Sequence, residues 1–118
     1  MPEFIEITVD QLRIARRLEQ SCGYLELGMP RQALDNIDGL STGGALEGAL
    51  QYVRGQALRM QEKYGDAVAP LEAAAGLLPE GASRHVWLAL AECHRANSAS
   101  DLAANALALA RGAKLPLG

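Results

Sequence analysis

Apolar residues recur along this chain at intervals of three and four, not two, and they do so in six successive runs separated by turn-forming residues. Leu12, Ala15, Leu18, Cys22 and Leu25 share one face of a first predicted helix. Thr8-Val9-Asp10-Gln11 has the form of a capping box at its start. Gly28-Met29-Pro30 stops this helix and places Pro30 in the first turn of the next, where a missing N–H costs nothing. Ala33, Leu34, Ile37 and Leu40 make the inner face of that second helix. Ser41 to Gly44 is a turn cluster, after which Leu46, Ala49, Leu50, Val53, Ala57 and Met60 resume helical spacing. A turn over Lys63 to Asp66 precedes a fourth helix through Ala67, Val68, Leu71, Ala74, Ala75 and Leu78, ended by Pro79-Glu80-Gly81. Ser83 is the expected N-cap of a fifth helix through Val86, Trp87, Leu90, Ala91 and His94. Asn97-Ser98 breaks it, and Ser98 with Asp101 is expected to cap a sixth helix that runs to about Lys114. No segment keeps a strand period, so the expected class is all-α, with short connections that place successive helices antiparallel.

Composition sharpens this picture. The chain has 118 residues, enough for one domain with a continuous core and no staples. Apolar residues make up 49% and aromatic residues only 4%, so Ala and Leu dominate, which favours helices packed at close range. A formal charge of −3 with no basic patch argues against nucleic acid as a partner. Cys22 and Cys93 are too few for a disulfide framework and read as small hydrophobes in a reducing compartment, so a cytoplasmic location is expected. Met1 to Asp10 is acidic where a signal peptide needs positive charge, and no run approaches the ~20 apolar residues of a membrane span.

The runs also repeat. Ala33 and Ala67 stand 34 residues apart at equivalent places in second helices, and Ala103 stands 36 beyond Ala67. The tetratricopeptide (TPR) pattern W-x2-L-G-x2-Y, A-x3-F, P has this period. The unit Gly48 to Gly81 resembles it through Gly55, Leu58, Tyr64, Ala67, Leu71, Ala74 and Pro79. The unit Arg84 to Leu117 resembles it through Trp87, Leu90, Ala91 and His94, then Ala103, Leu107 and Ala110. Ile14 to Glu47 fits more loosely, through Ser21, Tyr24, Gly28, Ala33 and Ile37, with Arg17 and Gln20 where Trp and Leu are usual. The resemblance implies a single TPR-like domain over 1–118, with a lead-in and helix start over 1–13 and repeats at about 14–47, 48–81 and 84–117. The expected architecture is three antiparallel hairpins stacked as a short right-handed superhelix, an α-solenoid in which no hairpin buries its apolar stripe alone. Small residues at Ser21, Gly55 and Ala91 are expected to let the helices of each hairpin approach closely.

In that family the first helix of each repeat lines a concave groove that binds peptides. The resemblance therefore implies a groove of Leu18, Cys22, Leu25 and Glu26 from the first unit, Tyr52, Val53, Gln56, Arg59 and Met60 from the second, and His85, Leu88, Ala89, Glu92 and Arg95 from the third. Its floor is expected to be apolar, with mixed charge around it. Leu18, Cys22, Val53, His85 and Ala89 stand where the clamp for the C-terminal carboxylate of Hsp70 or Hsp90 chaperones has Lys, Asn and Arg. Without those donors a buried carboxylate would be left uncompensated, so such a clamp is not expected. An apolar or amphipathic segment is the expected ligand, and Tyr52 and Arg59 are the strongest candidates for contact.

A second surface follows from the sixth helix. Leu102, Ala106, Leu109 and Ala113, with Ala103, Leu107 and Ala110, sweep an arc of roughly 160°, wider than a one-sided surface helix needs. Self-association, a partner or a continuation of the chain would cover the excess.

Enzymatic constellations are not expected. His85 and His94 lack the i, i+4 spacing of a metal pair, and the side chains of Cys93 and His94 diverge by about 100°. Gly43-Gly44 lacks the Lys and the strand of a phosphate loop. The expectation is a protein-binding scaffold without cofactor or metal. A chaperone resembling those of type III export and an assembly unit joined through the last helix are the alternatives.

Overall fold

The computed structural model describes residues 8–112, and these form six α-helices with no strand among them: α1 (Val9–Glu26), α2 (Pro30–Ile37), α3 (Gly44–Met60), α4 (Tyr64–Leu77), α5 (Glu80–Ala96) and α6 (Ser100–Ala110). The all-α reading holds.

Local chemistry accounts for most boundaries. At the start of α1 the Gln11 N–H donates to Thr8 Oγ1 at 3.1 Å and the Thr8 N–H donates to Gln11 Oε1 at 3.0 Å, the reciprocal pair expected of the capping box. Pro30 opens α2 as expected. Two later expectations fail. Glu80 to Ala82 already belong to α5, so Ser83 lies inside the helix and its hydroxyl donates to the Glu80 carbonyl at 2.8 Å. Likewise α6 begins at Ser100 with Ala99 as its N-cap, because Ser98 is taken up by the turn before it. That helix closes at Ala110, where Gly112 with φ +84° supplies the left-handed residue past a helix end. The expected extension to Lys114, and Ala113 with it, lies outside the described residues, as do Met1 to Ile7.

The turns within the pairs α1/α2, α3/α4 and α5/α6 are the same device three times. Gly28, Glu62 and Ser98 have φ of 72°, 61° and 60°. The N–H of the next residue reaches back to Tyr24, Leu58 or His94, through Met29, Lys63 and Ala99 at 2.8, 2.9 and 2.8 Å. Three-residue connections result, and each delivers an alanine, Ala33, Ala67 or Ala103, as the fourth residue of its second helix. All three alanines are buried.

Packing follows chain order. Each helix touches the next, and the first helices of successive pairs also touch, α1 with α3 and α3 with α5; α1 does not reach α5, nor α4 α6. The Cα atoms span 43 × 40 × 20 Å with a radius of gyration of 15.2 Å, somewhat above the ~13.5 Å of a compact chain this long. Ile14, Leu18, Ile37, Leu50 and Val53 form one core between the first and second pairs. Ala67, Leu71, Val86, Leu90 and Cys93 belong to a second between the second and third. α4 runs on through Pro70 despite the lost N–H because Ala67, Leu71 and Ala74 anchor it on both sides.

The closest approach lies within the middle pair. A Cβ built on Gly55 would stand 2.5 Å from Leu71 Cγ and Cδ2, so only glycine fits against that leucine. In the first pair Ser21 takes the equivalent place and its hydroxyl donates to the Ala33 carbonyl at 2.9 Å, which satisfies a fully buried polar side chain. The buried stripe of α1 is accordingly Ile14, Leu18 and Ser21. Leu12, Ala15 and Cys22, expected on the inner face, are exposed.

Candidate functional site

Two depressions flank α5. His85, Leu88, Ala89 and Glu92 lie on one of its faces and Trp87, Leu90 and His94 on the other, about 180° away at 100° per residue. The first face meets α3 in a depression of about 200 Å³, lined by Tyr52, Gln56 and Arg59 from α3 with those four residues of α5. The second meets α4 and α6 around a depression of about 460 Å³, lined by Glu72, Ala75, Gly76, Trp87, Leu90, His94, Leu102, Asn105, Ala106 and Leu109.

The α3/α5 depression gathers Tyr52, Gln56, Arg59, His85, Leu88, Ala89 and Glu92 from the expected groove. Helical spacing is the cause: Tyr52, Gln56 and Arg59 follow one another by four and three residues, as do His85, Leu88 and Glu92 by three and four. The floor is not apolar as expected. A chain of hydrogen bonds covers it: Arg59 Nε donates to Gln56 Oε1 at 2.6 Å, and Gln56 Nε2 donates to the Tyr52 hydroxyl oxygen at 2.7 Å. Arg59 Nη1 donates to Glu92 Oε2 at 2.8 Å, tying α3 to α5. Leu88, at 43% exposure, is the apolar element at the rim.

Other expected groove residues lie elsewhere. Leu18 and Val53 are buried in the first core at 7% and 1% exposure, so neither can meet a ligand. These faces of α1 and α3 turn toward each other and toward Ile37 of α2, because the interlocking of the pairs needs them there. Leu25 packs against the same core, half-buried. Cys22, Met60 and Arg95 are exposed but do not line the depression. Burial pushes the Cys22 thiol up from its ordinary value, and the Glu26 carboxylate adds to this. Cys93, fully buried, is pushed up by burial as well; the Arg59 charge opposes the shift and Glu92 reinforces it.

The α4/α5/α6 depression takes in Leu102, Ala106 and Leu109 of the expected self-association face. Leu102 is 53% exposed and Leu109 half-buried, but Ala106 is buried in the second core and serves as floor, not as a contacting surface. The sequence reading missed Trp87, Asn105 and Glu72 here. In the sequence Trp87 stands out only as the tryptophan of the repeat pattern, and its half-buried ring in the depression with Leu102 becomes evident only once α4 and α6 stand apart.

Among the described residues no three His, Cys, Asp or Glu side chains are grouped to hold a metal ion, and no helix is long and apolar enough to cross a membrane. No protein-family profile matches this chain, and no curated protein or solved structure matches it either.

Proposed function

We propose that the chain is a non-enzymatic protein-interaction module built as a TPR-like stack, and that it binds an amphipathic peptide segment of a partner across α3 and α5. The observation that carries this reading is the α3/α5 depression. It is lined only by first helices of successive pairs, and it sets the exposed Leu88 beside a fixed polar network. An extended or helical segment fits such a surface by placing one apolar side chain on Leu88 and polar groups on Tyr52 and Arg59. Tyr and Arg carry a disproportionate share of binding energy at protein interfaces. The three equal turns and the 34- and 36-residue spacing of Ala33, Ala67 and Ala103 support the repeat architecture. An amphipathic ligand is favoured over a purely apolar one because the polar network occupies the floor.

The test is selection of binding peptides from a random dodecapeptide library on the intact protein. Leu88→Asp is expected to weaken the selected peptides at least tenfold, about 1.4 kcal/mol, while Leu102→Asp leaves them unchanged. Peptides lost on Leu102→Asp and kept on Leu88→Asp contradict the reading.

Self-association through α6 is the second reading, favoured by the larger and more apolar depression beside Leu102. Light scattering across a range of concentrations tests it: a monomer at every concentration removes it, and a dimer lost on Leu102→Asp supports it.

A further inference from the structure

The polar network in the α3/α5 depression has a direction. A guanidinium only donates, so Arg59 Nε fixes the Gln56 carboxamide with its oxygen toward Arg59 and its NH2 toward Tyr52. The Tyr52 oxygen thereby accepts, and its own O–H is left to donate. At the other end Arg59 Nη2 has no acceptor among the described residues, since Nε is held by Gln56 and Nη1 by Glu92. Two donors, one of them charged, therefore border a depression of about 200 Å³, large enough for one side chain. The one acid lining it is Glu92, whose side chain is 52% exposed while that of Arg59 is 24% exposed. The guanidinium is thus held in place by its neighbours, and the carboxylate on it is the replaceable half of the pair.

We infer that this depression takes the side-chain carboxylate of a Glu or Asp in the bound peptide, which displaces Glu92 from Arg59 and accepts from the Arg59 guanidinium and the Tyr52 hydroxyl. Glu92 is then a built-in competitor that holds the guanidinium ready until an acidic side chain arrives. Replacing one exposed carboxylate with another costs little, because a solvent-exposed ion pair contributes little to stability. A carboxylate held by both a charged and a neutral donor gains the stronger, charge-assisted geometry. The site differs from a clamp for a chain terminus in its residues and in needing a single side chain. The inference rests on the groove reading above and adds the chemistry of one contact to it.

The test is an NMR titration of the intact protein with N-acetyl-glutamate N-methylamide, with the N-acetyl-glutamine analogue as neutral control. The acid is expected to move the Arg59 Nε–H and Gln56 side-chain amide signals, and the neutral analogue to leave them in place. Glu92→Gln is expected to tighten the acid about two- to fivefold, and Arg59→Gln to abolish its binding. Equal responses to acid and amide, or an affinity unchanged or weakened by Glu92→Gln, overturn the assignment. Peptides from the library separate this inference from the groove reading. If they depend on Leu88 and share an acidic position whose contribution is lost on Arg59→Gln, both stand. If they depend on Leu88 but carry no such position, the groove stands and the carboxylate site falls.

Discussion

Gly23 and Gly55 both sit inside helices, yet their surroundings demand opposite outcomes from the same substitution. Nothing lies within 4 Å of a Cβ built on Gly23, so Gly23→Ala is expected to stabilise α1, by about 0.5–1 kcal/mol of helix propensity. At Gly55 the new methyl would stand 2.5 Å from Leu71, and overpacking there is expected to cost about 1–3 kcal/mol. Urea unfolding of the two variants checks the pair; a Gly55→Ala protein as stable as the parent contradicts the packing described. The two thiols make a second prediction. Burial raises Cys93 above its ordinary value of 9.0. Above about pH 9 the unfolded chain therefore releases a proton that the folded chain keeps, and stability falls as pH rises through the folded value. Cys22 is shifted in the same direction. The urea midpoint is expected to drop between about pH 8 and about pH 10, and Cys22→Ala with Cys93→Ala to flatten that drop. At this scale the sequence was legible only in part. Periodicity alone put Cys22 on the inner face of α1, since Leu18 and Leu25 belong equally to a stripe through Ser21. The repeat alignment chose Ser21, and the hydroxyl bond to Ala33 explains why a polar residue is buried there.

Helix ends were easiest to read where a side chain does the capping and hardest where the backbone does. Thr8 and Pro30 mark their helices by their own chemistry, and both stand where the sequence placed them. Ser83 and Ser98 carry the same cap-forming hydroxyl but are used otherwise, because Pro79 starts α5 earlier and the left-handed turn claims Ser98. That turn is shared by Gly28, Glu62 and Ser98, of which glycine alone adopts it without strain from a side chain. Glu62→Gly is expected to stabilise the α3/α4 pair by about 0.5–1 kcal/mol. The same change at Asp66, in the regular backbone of α4, is expected to destabilise. Thermal unfolding of both variants reads the difference; equal effects would mean that the turn carries no strain.

For the whole molecule, six helices in chain order give a slab in which α5 divides two depressions of different character, one polar and shared with α3, one apolar and shared with α4 and α6. The spacing of Tyr52, Gln56 and Arg59 and of His85, Leu88 and Glu92 was visible in the sequence because each set follows a single helical face. The polarity of the floor was not. It depends on Arg59 and Glu92, 33 residues apart, meeting across two helices, a contact that no local pattern encodes. Leu18 and Val53 were assigned to the groove for a related reason: an apolar residue on a first helix looks the same whether it faces a ligand or the neighbouring pair. The most direct test of the account maps a library-selected peptide onto the amide spectrum of the intact protein. Perturbations centred on Tyr52, Gln56, Arg59, Leu88 and Glu92 are predicted, with Trp87, Leu102 and Leu109 unmoved. Perturbations centred on those last three, with the α3/α5 face silent, would contradict it.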